Sequence, residues 1–267
     1  MVKNRMIKLV EKRGQITLFV ILALVIISIV FLYIFWIQPT YITPQTIKPG
    51  LEGCMEEVVK DAIKQMEKQY SGFPGLNFSY SYKGEQIPYL CYTNLYLQSC
   101  INQKPFLLQY FAAELKKMSQ EGVMQCYENS LEDLRKKGID IGEGQKIFNI
   151  SLNPDQIVVS LKAPTSAARG GAAVQFTEFK SIIDSPVYNM MLIITYLVQQ
   201  ETRYGDSIIE DPMILHPQFL ITKIRRDDGN KVYIIKEKNT GDIFKFATRS
   251  VAWPVGYGYG DTLMREQ

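Results

Sequence analysis

Residues 16–37 read ITLFVILALVIISIVFLYIFWI, a run of 22 residues without a charged side chain. A helix needs about 20 apolar residues to cross the hydrocarbon core of a bilayer, because each residue adds about 1.5 Å along the helix axis. The run is longer than the apolar region of a secretory signal peptide, which has about 7–15 residues. The sequence therefore predicts a transmembrane helix over residues 15–37, which contacts the lipid bilayer through residues 16–37. The alternatives are a cleaved signal peptide and a buried core helix.

The charges around this run predict its orientation. Residues 1–14 contain five Lys or Arg and one Glu, a net charge of +4. Basic residues stay on the cytoplasmic side of a membrane, so residues 1–14 are predicted to be a cytoplasmic flank and residues 51–267 an extracytoplasmic domain at the cell membrane. The remaining 253 residues contain 25 Lys or Arg and 26 Asp or Glu, a net charge of −1. This distribution argues against nucleic acid as a partner.

Four cysteines follow the apolar run, at Cys54, Cys91, Cys100 and Cys126. An even count in an extracytoplasmic domain predicts two disulfide bonds, for which four cysteines allow three connectivities. Cys91 and Cys100 are close enough in sequence to close a local loop, and Cys54 and Cys126 would then join two helices. The alternative is four reduced thiols or a metal site. Because no CxxC spacing occurs, the sequence predicts no metal site, and no cofactor motif is present.

Two sequons mark candidate glycosylation sites. Asn77 lies in Asn77-Phe78-Ser79, and Asn149 lies in Asn149-Ile150-Ser151. Such sequons accept glycans on surfaces that face the secretory side of a membrane. Both are compatible with the extracytoplasmic location predicted for this part of the chain.

The rest of the chain predicts an α+β fold. Pro39, Pro44 and Pro49 indicate an extended stalk over residues 38–50, since proline disfavours helix at the residue before it. Residues 164–173, PTSAARGGAA, are predicted to be a loop or an internal domain junction. Hydrophobic periodicity and turn residues predict the following helices and hairpins: helices over 51–66, 105–118, 123–137 and 187–204, and hairpins over 76–92 and 146–162. Three strands over 219–248 complete the prediction: one N-terminal transmembrane helix plus a domain of helices and antiparallel hairpins that ends in a three-stranded meander.

The sequence KRGQITLF, from Lys12 to Phe19, resembles the class III signal of archaeal type IV pilin-like proteins. The resemblance implies cleavage between Gly14 and Gln15, so that Gln15 becomes the mature N-terminus and the apolar helix can bundle with copies of itself in a filament. The alternative is a basic flank without processing. The whole chain also resembles membrane-anchored surface proteins of small-genome archaea, which have a similar Arg-Gly-Gln run and a cysteine-bearing helix soon after the anchor.

The sequence offers little support for an enzyme. His216 is the single histidine, which excludes a histidine-rich metal centre. The chain contains no nucleophile-elbow, P-loop or zinc-protease motif, so no catalytic residue is predicted. Its carboxylate pairs, Glu210-Asp211 and Asp227-Asp228, stand in predicted loops and turns.

These features together favour a single-pass, membrane-anchored cell-surface protein with a non-enzymatic interaction or structural role. Its predicted partners are the bilayer and either a second copy of the chain or another surface protein. One alternative is a type IV pilin-like subunit or minor assembly component processed before Gln15. Another is a membrane-tethered extracellular hydrolase or ligand-binding module.

Overall fold

The computed structural model describes residues 19–33, 48–76, 78–169 and 172–254. Several predictions concern residues outside these ranges and stay predictions: the flank 1–14, the processing site at Gly14 and Gln15, residues 38–47 of the stalk, and the sequon residue Asn77. The chain divides into two compact units, Met1–Thr43 and Pro44–Gln267.

The first unit contains helix α1, which the structure describes over residues 19–33. Within the described ranges, no helix combines the length and the apolar character that a membrane span needs. The predicted fold class is wrong in this respect.

In the second unit, the described residues form four further helices and ten strands. The helices are α2 (Lys48–Tyr70), α3 (Leu107–Lys136), α4 (Val187–Tyr204) and α5 (Glu210–Leu215). The strands are β1 (Ser79–Tyr82), β2 (Glu85–Tyr92), β3 (Ile101–Asn102), β4 (Asp140–Glu143), β5 (Ile147–Asn153), β6 (Gln156–Arg169), β7 (Ala172–Asp184), β8 (Phe219–Arg225), β9 (Asn230–Glu237) and β10 (Ile243–Arg249). Helices α2 and α4 each contact strands of both sheets, so the two sheets share one core.

Helix α3 is continuous, although the sequence predicted two helices over residues 105–118 and 123–137. Glycine in a helix interior costs about 1 kcal/mol relative to alanine, so Gly122 inside α3 needs a packing reason. In the structure a Cβ at Gly122 would lie 2.7 Å from Cγ1 of Val58. The glycine therefore stays in the helix because it lets α2 and α3 approach closely.

The first sheet has the order β1-β2-β10-β9-β8, with β3 paired to β2. Strands β8, β9 and β10 pair antiparallel, so the predicted three-stranded meander is present. Strand β10, however, pairs parallel to β2, with Ala247 opposite Tyr89 and Thr248 opposite Cys91. The sheet is therefore mixed, which corrects the second part of the predicted fold class. Parallel strands need a long crossover connection, and hairpin signals between neighbouring segments do not reveal one.

The second sheet is built on the long strand β6, which pairs with β7 along one edge and with β5 and β4 along the other. Residues 164–169 and 172–173, predicted as a loop or junction, lie in β6 and β7. Ala163, Thr165 and Ala167 are buried at alternate positions of β6. Their small side chains fit a tightly packed inner face, although their composition is typical of a loop.

Candidate functional site

An apolar groove lies between α4 and α5 and encloses about 520 Å³. This volume falls within the range of about 300–1,000 Å³ that ligand-binding clefts have. The groove, called the α4–α5 groove below, is lined by Leu192, Ile193, Tyr196, Asp211, Pro212, Ile214, Leu215 and His216.

The local sequence explains how α4 and α5 come to face each other. Helix α4 ends at Gly205, whose φ of 75° lies in the left-handed region that favours glycine. A Cβ there would also lie 1.9 Å from Cγ2 of Val251, so the chain can turn closely past that side chain only with glycine. The chain reverses after Gly205, and the short helix α5 follows five residues later. Pro212 is buried, while the apolar residues that follow it stay on the surface.

The rim of the groove is unusually apolar for a water-exposed surface. Ile214 is 77% exposed and Leu215 is 75% exposed, and Leu192 of α4 is 43% exposed. Ile208 and Leu220, which lie just before α5 and on the strand that contacts it, are also exposed. Single exposed apolar residues are normal, but a cluster of them around a groove marks a surface that a partner can cover.

One carboxylate, that of Asp211, lines the groove. The Tyr196 hydroxyl donates to Oδ2 of Asp211 at 3.3 Å. Desolvation and the Asp211 carboxylate raise the pKa of Tyr196, so this hydroxyl stays protonated and acts as a donor. Neither Glu210 nor Asp211 forms an ion pair with any Lys or Arg among the residues that the structure describes. The groove therefore carries negative charge beside its apolar rim.

His216 lies at one end of the groove and has a packing role. Its backbone N–H donates to the carbonyl of Pro212 at 2.9 Å, and its ring packs at 63° to the ring of Phe219. Within the described ranges no group of three or more His, Cys, Asp or Glu side chains could hold a metal ion. The groove thus presents an apolar surface with one carboxylate, that of Asp211, an arrangement suited to binding.

Among the described residues, none of the other predicted site residues lines the groove. The prediction of two disulfide bonds is confirmed: Cys54 is bonded to Cys126 between α2 and α3, and Cys91 is bonded to Cys100. Asn149 lies on β5 with its side chain exposed. The other sequon residue belongs to the part of the chain that is not described.

Sequence reasoning missed a buried ionic network that joins α4 to β9. Glu201 is fully buried, and Lys231 Nζ lies 2.9 Å from its Oε2 and 3.4 Å from Oδ1 of Asp206. The Tyr233 hydroxyl donates to Oε1 of Glu201 and accepts from Oγ of Ser207 at 2.8 Å. Burial raises the pKa of Glu201, although Lys231 and Tyr233 lower it. Nothing in the local sequence pairs the α4 side of this network with Lys231 and Tyr233, because the paired residues are 25 or more positions apart.

A polar cleft of about 670 Å³ lies between the end of α2, the β1–β2 turn and the start of β10. Oε1 of Glu67 is buried there without a hydrogen-bond partner. Burial, together with the Asp242 carboxylate, raises the pKa of Glu67 to about 7, and the Ile243 N–H, Lys64 and Lys68 oppose this rise. Glu67 is therefore the group most suited to make stability depend on pH near neutrality.

We expect the free energy of unfolding to fall as the pH rises from about 4.5 to about 7, and Glu67→Gln to remove this dependence. The folded pKa lies above the unfolded one, so the stabilising contribution is complete below about 4.5 and is lost as the pH passes 7. The glutamine variant should therefore be more stable than the wild type at about pH 8, by about 1–2 kcal/mol after allowance for solvent screening. Urea unfolding of both proteins at about pH 4.5 and at about pH 8 measures the difference in the free energy of unfolding.

Glu57→Gln is the matched control, because Glu57 is exposed on the same helix. It should leave the pH dependence unchanged. An equal effect of both substitutions at every pH would assign the dependence to other groups.

No family model, no curated protein and no solved structure matches this chain at a significant level, so its function is inferred from its own residues.

Proposed function

We propose that this chain is a non-enzymatic interaction domain that works in an oxidising, extracytoplasmic compartment and binds a protein partner at the α4–α5 groove. The observation that carries the proposal is the exposure of Ile214 and Leu215 at the rim of an apolar groove of about 520 Å³. Each apolar Å² that a partner removes from water contributes about 25 cal/mol.

The disulfide bonds support the location. Cytosolic thiols are kept reduced, whereas disulfides persist in secreted and cell-surface proteins. All four cysteines are paired in this chain, and one pair joins residues 72 positions apart.

The polar groups of the groove favour binding over catalysis. Tyr196 donates a hydrogen bond to Asp211 and keeps its proton, so it is poorly suited to act as a general base. The His216 ring contacts Phe219, an apolar neighbour, and the backbone of His216 completes the end of α5.

The charges of the groove define the chemistry of the partner. Apolar side chains would fill the space between α4 and α5, and a Lys or Arg beside them would pair with Asp211 or Glu210. Charge complementarity of this kind directs partners to the correct surface and excludes others. An anionic lipid surface is disfavoured, since the Asp211 carboxylate of the groove and the exposed Glu210 next to it in the chain would face negative headgroups.

Two synthetic amphipathic peptides test this proposal. They share one pattern of leucines, and their polar positions carry Lys in one peptide and Glu in the other. Biolayer interferometry on the immobilised full chain should show binding of the Lys peptide and at least about tenfold weaker binding of the Glu peptide. Ile214→Asp should weaken the Lys peptide by a similar factor, because it places a charge in the apolar rim.

Ile101→Asp is the matched control, since Ile101 is 71% exposed on β3 and does not line the groove. It should leave the affinity unchanged. Equal binding of both peptides, with no effect of Ile214→Asp, would refute the proposed function.

A further inference from the structure

One exposed stripe of α4 is complementary to itself. Leu192, Tyr196, Gln199 and Arg203 are spaced i, i+4, i+7 and i+11, which places them on one side of the helix. Leu192, Gln199 and Arg203 are exposed, and Tyr196 is half-buried. The stripe begins at the apolar groove and ends at a cation.

The two ends of this stripe carry opposite charges. On the groove side, one helical turn from Leu192, the Tyr196 hydroxyl donates to the Asp211 carboxylate. At the other end the Arg203 guanidinium lies 5.2 Å from the ring of Tyr204 and has no carboxylate partner among the described residues. Neither charge is neutralised by an ion pair within the described part of one chain.

We propose that the partner in the α4–α5 groove is a second copy of this chain, with the two α4 helices antiparallel about a two-fold axis. This inference rests on the proposed function and names its partner. In an isologous pair, residue i of one copy meets residue j of the other and the reverse. An axis between Tyr196 and Gln199 sets Leu192 of each copy opposite Arg203 of the second copy.

This arrangement satisfies both charged ends at once. Arg203 of one copy comes to the groove end of the other, where Asp211 lies beside Tyr196. Two equivalent ion pairs form, one on each side of the two-fold axis. The exposed side chains of Ile214 and Leu215 then cover the apolar surface around Leu192 of the second copy, which removes both rims from water.

Reciprocal charge reversal tests the pairing on the full chain. Asp211→Arg places Arg opposite Arg in a self-pair, and Arg203→Glu places Glu opposite Asp. Each variant alone should dimerise at least about tenfold more weakly than the wild type in sedimentation velocity. An equal mixture of the two variants should recover the dimer, because both cross-pairs then join opposite charges.

Asp227→Arg, in an exposed turn, is the control for charge reversal and should leave dimerisation unchanged. A photo-reactive benzoylphenylalanine at position 199 provides an independent readout, because sedimentation alone does not show which surface associates. It should cross-link to residues 192–204 of the second copy. The unlabelled Lys peptide should compete with this cross-link.

The outcomes separate the two proposals. If neither charge reversal weakens the dimer, or if their mixture does not restore it, the second-copy proposal fails. If Ile214→Asp still weakens binding of the Lys peptide at least about tenfold in that case, the groove binds a different protein and the proposed function stands. If the peptide does not bind either, both proposals fail.

Discussion

Lys231→Met should lower the free energy of unfolding by about 3–5 kcal/mol, because it leaves the Glu201 carboxylate buried without its cation. Glu201 is fully buried, and Lys231 provides its ammonium partner at 2.9 Å. The Tyr233 hydroxyl remains as a donor, but one neutral hydrogen bond does not replace a desolvated ion pair. Urea unfolding monitored by the fluorescence of Trp253, or by circular dichroism, gives the change.

The loss should depend on pH in a defined direction. Burial already raises the pKa of Glu201, and Lys231 opposes that rise. Without Lys231 the pKa rises further, so a larger share of the carboxyl is protonated as the pH falls. We therefore expect the destabilisation to shrink from about pH 8 to about pH 5, since the neutral acid is easier to bury.

A double-mutant cycle separates the ion pair from the loss of packing. Glu201→Met together with Lys231→Met removes both charges and keeps comparable volume, so it should be clearly more stable than Lys231→Met alone. Lys60→Met is the matched surface control, because Lys60 pairs with Glu56 in solvent and should change stability by less than about 1 kcal/mol. Additive losses in the double variant would show that the two charges act independently.

Local patterns predicted the elements whose signals are contained in a short segment. Helix α4 begins after Pro186 and ends at Gly205, as expected from proline and glycine at the two ends of a helix. The meander follows from two turns that contain Gly229 and Gly241, which both adopt positive φ. Each of these features is decided within about ten residues, so no tertiary information is needed.

Features that depend on distant contacts could not be predicted in the same way. The sequence around Gly122 does not show that α3 continues through it, because the glycine is explained by its close contact with Val58 of α2. The parallel pairing of Ala247 with Tyr89 joins segments from opposite ends of the domain. Residues 164–169 contain loop-forming residue types, yet they form a strand because small side chains are required between two packed layers.

The candidate groove left only a faint signal in the sequence. Ile214 and Leu215 follow the pair Glu210-Asp211 within one short segment, and apolar residues next to carboxylates in a turn are a reason to suspect exposure. Periodicity did not show it, because α5 has only six residues and cannot display a repeating face. The α4–α5 groove arises where this segment packs beside α4, which is a tertiary property.

Removal of the Cys54–Cys126 disulfide through Cys54→Ala and Cys126→Ala should lower the free energy of unfolding by about 4 kcal/mol. The bond closes a loop of 72 residues, and a cross-link restricts the unfolded chain more as the loop becomes longer. The matched variant, Cys91→Ala with Cys100→Ala, opens a loop of nine residues and should lose about 2.5 kcal/mol. Alanine avoids placing an unsatisfied hydroxyl at these buried positions.

Reduction distinguishes the effect of the cross-link from that of the side chains. Dithiothreitol should destabilise the wild type to nearly the level of a variant that lacks all four cysteines, and that variant should not respond to it.

The two disulfide removals together show how the bonds stabilise the fold, because the longer loop should lose more free energy of unfolding than the shorter one. If removal of the Cys91–Cys100 bond lowers the free energy of unfolding more than removal of the Cys54–Cys126 bond does, restriction of the unfolded chain is not the main cause of the stabilisation. Packing of Cys91 in β2, beside the parallel partner Thr248, would then hold the first sheet together, and the short bond would stabilise the native state directly.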